Sequence, residues 1–283
     1  MKRSLLILSL LFSLLAPSAV LAGPQPLTYP GLPRHGGAAT AVAARLPDAK
    51  LLSRVLPNGL EVIVLEDHSV PLVTIELAVK NGSYTEPPEL NGLSHLYEHM
   101  FFKANRAIAN AEDYLRTIGH MGIAYNGTTR EEVVDYYFTT TSPNLRTAMQ
   151  FMKDAARYPL FDAGEFSREQ EVVIGEIDRN ESNPFFPLTQ EMNSRLFYKY
   201  TSRKNPLGNR QTVASATTAM MRLIQERYYV PNNSALVLTG DVNSEEVLRW
   251  RRIFLGIGHV AKKTPSLNFR LSSIRLCRRV KAG

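Results

Sequence analysis

The chain has 283 residues, 44% of them hydrophobic and 21% charged, with a formal net charge of +7. Ten Lys/Arg and no Asp/Glu fall between Arg249 and Gly283, so the basic balance belongs to the tail, and a nucleic-acid-binding body is excluded. A single cysteine, Cys277, excludes an internal disulfide and leaves stability to packing.

In chain order, Lys2 and Arg3 precede a leucine-rich run from Leu5 to Leu15, and Val20-Leu21-Ala22 offers a small residue at a cut. This is the anatomy of a signal peptide over residues 1–22, cleaved after Ala22, which predicts a periplasmic or secreted protein. The apolar run is too short for a stable membrane span; an uncleaved anchor is the alternative, and the missing cysteine argues against lipid anchoring. Pro24, Pro26, Pro30, Pro33, Gly36 and Gly37 mark residues 23–50 as an extended N-terminal segment. Leu51–Leu56, the Asn58-Gly59 turn and Leu60–Leu65 read as a hairpin, and Pro71–Lys80 as a third strand. Helical patterns follow at about 93–103, 110–119, 143–157, 164–181, 187–199 and 214–228, with strands at about 134–141 and 234–241. Together they predict an α+β fold with a mixed, largely antiparallel sheet and helices packed on one face. The domain is expected over 51–248, followed by a basic tail over 249–283, truncated or divergent.

Inside the first helical pattern stands His95-Leu96-Tyr97-Glu98-His99. Residues i and i+4 lie one above the other on a helix, so both imidazoles reach one ion with Glu98 beside them. The inverted His-x-x-Glu-His order is a zinc hydrolase signature in which the glutamate is the general base. Gly92-Leu93-Ser94 supplies a turn and N-cap, and Leu93, Leu96, Met100 and Phe101 an apolar stripe. Catalytic zinc takes three protein ligands, so a third lies elsewhere. In the 164–181 helix, Glu169 and Glu176 are seven residues apart and share a face, with Val172, Val173 and Ile177 expected to be buried beside them. On residues alone, that acidic face reads first as the solvated surface of an amphipathic helix.

From Leu51 to Val247 the chain resembles the pitrilysin/insulinase family of zinc metallopeptidases, which includes the mitochondrial processing peptidases and their bacterial relatives. The family follows its inverted motif with a phrase like E-x-x-V-V-x-x-E, and Glu169 to Glu176 fall on that stretch. Its N-A-x-T-x-x-D-x-T-x-Y phrase is matched by Asn126, Thr129 and Tyr136, with Gly127, Glu132 and Val134 as departures. Asn205-Pro206-Leu207-Gly208 stands for its H-P-Y-G turn, Phe102-Lys103-Ala104-Asn105 for its F-K-G-T, and Tyr228 to Val242 for its helix-to-strand passage.

The resemblance implies one zinc ion held by His95, His99 and Glu176, with Glu98 as catalytic base and Glu169 supporting catalysis. It also implies that Asn126, Gly127, Thr128 and Thr129 lie on a strand that pairs with an extended peptide substrate. Read from the residues alone, Asn126 is equally a turn residue after Gly119–Gly122. The expected domain is a metallopeptidase half-clamshell whose partner is a second-half domain or a partner chain of the same family. The expected function is a zinc-dependent metalloendopeptidase acting on unfolded or short peptides in the periplasm. The alternative is a non-catalytic peptide-binding or structural subunit.

Overall fold

A computed structural model describes residues 50–198 and 205–250. The expected signal peptide, the proline-rich segment up to residue 49, Cys277 and the tail beyond Trp250 lie outside the described residues. Six strands form one sheet: β1 (Lys50–Val55), β2 (Glu61–Glu66), β3 (Leu72–Val79), β4 (Ala124–Thr129), β5 (Val134–Thr141) and β6 (Ser234–Gly240). Their order is β1-β2-β6-β3-β5-β4, antiparallel throughout except for the parallel pair β2–β6. The helices are α1 (Leu93–Phe101), α2 (Ala111–His120), α3 (Leu145–Arg157), α4 (Ala163–Glu181), α5 (Phe186–Leu196), α6 (Arg210–Ala214), α7 (Thr218–Tyr228) and α8 (Ser244–Arg249).

The β1–β2 hairpin forms at Asn58-Gly59 as expected, with Leu56 donating to the Leu60 carbonyl and Gly59 at φ 83°. Strand alternation sorts the sheet into two faces. Val62, Val64, Leu236, Leu238, Ile75, Leu77, Tyr136 and Phe138 point into the core, while Ile63, Val237, Glu76 and Tyr137 lie half-buried on the other side. The core face is covered by the helices, through Leu93, Leu96 and Phe101 of α1, Ala148 and Met152 of α3, and Met221 and Ile224 of α7. The α+β architecture and its one-sided helix layer are those the sequence predicted.

Several local expectations need correction. The strand β4 is absent from the hydrophobic pattern because its residues, Ala124 to Thr129, are small or polar; the resemblance alone placed a strand there. Asn126 is therefore a strand residue, not a turn residue. The pattern at 214–228 is broken: α6 ends at Ala214, and Thr217 takes an extended conformation and caps α7 by accepting from the Met220 N–H. Val172 is 46% exposed, because the buried stripe of α4 runs through Phe166, Glu169, Val173 and Ile177 and Val172 sits about 100° around the helix from it. Helix α5 buries none of its residues; Phe185, Leu188, Met192 and Leu196 form an exposed apolar stripe.

Candidate metal centre

The start of α1 is set by groups from outside it. Gly92 adopts φ 91° and no local side chain caps the helix, so the expected Ser94 cap is not made. Glu86, buried in the preceding loop, instead accepts from the Gly92 N–H at 2.9 Å and the Ser94 N–H at 2.7 Å. A carboxylate at this end also complements the helix dipole. Ser94 is inside the helix, its hydroxyl bound to Asn81 at 3.0 Å. On its core side α1 is clamped by aromatic stacking, Phe101 on Tyr136 at 3.8 Å and Tyr97 on Tyr229 at 4.1 Å between ring centroids.

Helix α4 packs alongside, fixed by Gln170 donating to the Val213 carbonyl at 2.8 Å and by Arg210 pairing with Asp178 and Glu181. That docking brings Glu176 to the two histidines. His95 Nε2 and His99 Nε2 are 3.3 Å apart, and Glu176 Oε2 is 3.5 Å from the first and 4.0 Å from the second. The three ligand atoms lie within 4.8 Å of one another. Zinc bonds of about 2.0–2.1 Å in a tetrahedron put ligand atoms about 3.3 Å apart, so this triangle fits a zinc ion with a small closure of its longest side.

The state of His95 suits a metal. Burial, and then the neighbouring His99, push the His95 imidazole down to about 4, so it is neutral with a lone pair at ordinary pH. Its Nδ1 is buried without a protein hydrogen-bond partner. His99 is oriented by Glu169, whose Oε2 lies 3.0 Å from Nδ1 and turns Nε2 toward Glu176. Glu169 is also ion-paired with Lys103 at 2.5 Å. Burial works to raise the Glu169 carboxyl, but the His99 and Lys103 contacts outweigh it and hold the group below its usual range. In the sequence Lys103 stands out only as the lysine of the Phe102–Asn105 stretch, and that match is the one signal for this role.

Glu98 leans the other way, toward β4. Its Oε2 accepts from the Thr129 hydroxyl at 2.6 Å, and burial raises its carboxyl pKa despite that bond. Gly127 and Thr129 therefore meet α1, while Asn126 and Thr128 alternate to the opposite side of the strand. Among the described residues β4 is a sheet edge, hydrogen-bonded on one side only, to β5. Of the residues singled out in the sequence, His95, His99, Glu176, Glu98, Glu169, Gly127 and Thr129 come together at one place.

Fold and cluster together define an α+β domain whose first and fourth helices bring two histidines and a glutamate to one place that could hold a metal ion. The sequence profile of Insulinase (Peptidase family M16) matches residues 61–212, more than half of the chain, and the chain belongs to this family. It is 28% identical over 197 residues to an uncharacterized zinc protease, YmxG, of Bacillus subtilis, covering 68% of this chain and 48% of that protein. Human insulin-degrading enzyme is 29% identical over 212 residues, covering 72% of this chain and 20% of the enzyme. The first half of the periplasmic protease PqqL of Escherichia coli superposes with a TM-score of 0.69 at 24% identity, covering 76% of this chain and 47% of that one; this likeness shows the fold. The chain spans about half the length, or less, of the curated relatives it matches.

Proposed function

We propose that this chain is the metal-holding N-terminal half of a zinc metalloendopeptidase that cleaves unfolded or short peptides. The observation that carries the reading is the triangle of His95, His99 and Glu176, with Glu98 one position from His99 on the same helix. These three side chains would hold one zinc ion. Zinc held there would supply Lewis-acid polarisation of a scissile carbonyl and a water of pKa about 7.

The chain's own residues do the rest. Glu98 takes the proton of the attacking water and hands it to the leaving amine. Glu169, with Lys103 behind it, fixes the ring of His99. The free edge of β4, from Asn126 to Thr129, accepts an extended peptide as an added strand, a mode tolerant of sequence. The exposed stripe Phe185, Leu188, Met192 and Leu196 is surface of the kind a second half or partner chain would cover. Location is proposed from the sequence alone: export after cleavage at Ala22, to the periplasm or beyond. Among the described residues no helix is long and apolar enough to cross a membrane.

The alternative, a non-catalytic peptide-binding or structural subunit, fits less well because His95, Glu98, His99 and Glu176 are all retained. One experiment separates them. The purified chain should bind close to one zinc, lost in His95→Ala and His99→Ala and retained in Glu98→Gln. Combined with a separately expressed second half, the wild type should cleave an unfolded peptide and Glu98→Gln should not. Full zinc binding by both histidine variants would refute the metal site, and equal turnover by Glu98→Gln would refute the base.

A further inference from the structure

Strand β4 turns alternate side chains toward α1. The Tyr125 ring is 5.0 Å from that of Phe102, Gly127 lies opposite buried Tyr136, and Thr129 opposite buried Val134. Glu98 and Phe102 are one turn apart and meet this face. A Cβ built on Gly127 would stand 2.9 Å from Glu98 Cγ and 3.0 Å from Phe102 Cε2, so the missing side chain leaves room for the Glu98 stem to lie against the strand. Two positions on, the Thr129 hydroxyl reaches Glu98 Oε2 at 2.6 Å, the length of a bond between a hydroxyl and a charged carboxylate.

We propose that Thr129 is a positioning residue that aims Glu98, with Gly127 providing the space, and that the Thr129 side chain is not a substrate contact. The proposal rests on the reading of Glu98 as the proton acceptor. One carboxylate oxygen is held by the hydroxyl and the other is left for the water. An untethered glutamate has three rotatable bonds, and displacing a reacting group by an ångström costs on the order of a hundredfold in rate. The same strand then does two jobs on different parts: its backbone edge receives the peptide, and its inward side chains aim the base. Strand pairing and base placement are mechanically joined.

The test uses Thr129→Val, which keeps shape and removes the donor, and Thr129→Ser, which restores the donor, in the full zinc-loaded chain with its companion half. Thr129→Val should lower kcat by about 10- to 100-fold with KM and zinc content unchanged, and Thr129→Ser should recover to within about threefold of wild type. In the catalytically silent Glu98→Gln background, Thr129→Val should leave the peptide Kd unchanged. A wild-type kcat for Thr129→Val, or a peptide Kd weakened about tenfold in the silent background, would overturn the proposal in favour of a neutral or substrate-binding role. Crystal structures of Thr129→Val and Thr129→Ser decide independently of turnover. Glu98 should leave the strand in the first and stay in the second; an unmoved carboxylate in Thr129→Val overturns the proposal. If wild type cleaves nothing, the functional reading has failed, and the crystal comparison still judges the tether.

Discussion

Glu86 and Ser94 are eight residues apart in sequence, and the carboxylate of the first takes the backbone N–H of the second at 2.7 Å, closing the loop that leads into the histidine helix. The second carboxylate oxygen takes Gly92, so one buried side chain satisfies two of the donors that a helix start leaves open. Removing it exposes those donors to a site with no other cap. Glu86→Ala should therefore lower unfolding stability by about 1–3 kcal/mol in urea titrations and weaken zinc binding, although Glu86 belongs to no metal contact. An unchanged urea midpoint would show that the cap is dispensable.

Gly92 is held from a second direction. Gly208, at φ 74°, approaches it so closely that a Cβ on Gly208 would lie 2.3 Å from Gly92 Cα. Backbone meets backbone here, and no side chain can swing aside. Gly208→Ala should cost about 2 kcal/mol or more by thermal or urea unfolding. Gly175 is the control: it sits in α4 with open space where its Cβ would go, so Gly175→Ala should stabilise by about 0.5–1 kcal/mol. Equal effects from the two substitutions would contradict the packing.

The pair His99–Glu169 separates orientation from ligation. Glu169→Gln keeps the shape while losing the charge that fixes the imidazole, so the zinc Kd should rise by about 10- to 100-fold without loss of the one-to-one stoichiometry. Lys103→Met, which removes the ammonium behind Glu169, should act in the same direction and more weakly. Zinc titration monitored by competition with a chromogenic chelator reads both. A complete loss of zinc from Glu169→Gln would make it a ligand.

Far along the sheet, Glu66 accepts from the Ser244 N–H at 2.7 Å and anchors the start of α8. Hydrogen bonding by Ser244, with a smaller pull from Lys50, holds its carboxyl at about 2, down from an ordinary 4.5. A carboxylate depressed in the folded state stabilises fully above its unfolded pKa and loses that contribution as pH falls through the folded one. Glu66→Gln should therefore be less stable than wild type at pH 7, with the gap closing between about pH 4.5 and pH 2. A gap that stays constant down to pH 2 would remove Glu66 from the acid response.

Much of the fold was legible because strong local signals coincide with the elements: β5 runs from Val134 to Thr141 as its alternation indicates, and the Asn58-Gly59 turn sets the register of the first hairpin. The metal triangle was legible only in part. Helical spacing brings His95 and His99 together, but Glu176 reaches them through the docking of α4 on α1, which no local pattern encodes; the residues alone offer it only as one of two glutamates on a helix face, and the family resemblance singles it out. What stayed hidden was non-local. Glu86 caps α1 across a loop, Lys103 closes on Glu169, and Thr129 turns toward Glu98 and not toward the outer side of its strand; each depends on tertiary placement. Val172 is exposed and Val173 buried, and a run of two valines does not say which one faces inward.

The place of β6 between β2 and β3 governs when this domain becomes whole during synthesis. Its two neighbours are made early, at residues 61–66 and 72–79, while β6 spans 234–240. Until Gly240 has emerged, from the ribosome or from a membrane crossing, the chain can hold only two sheet fragments whose inner edges, on β2 and on β3, present unpaired backbone. All the residues proposed to hold zinc emerge before the strand that joins those fragments. Pairing over so long a sequence separation slows folding, and a product cut short before Ser234 would carry exposed edges on β2 and β3 that β6 covers in the finished domain.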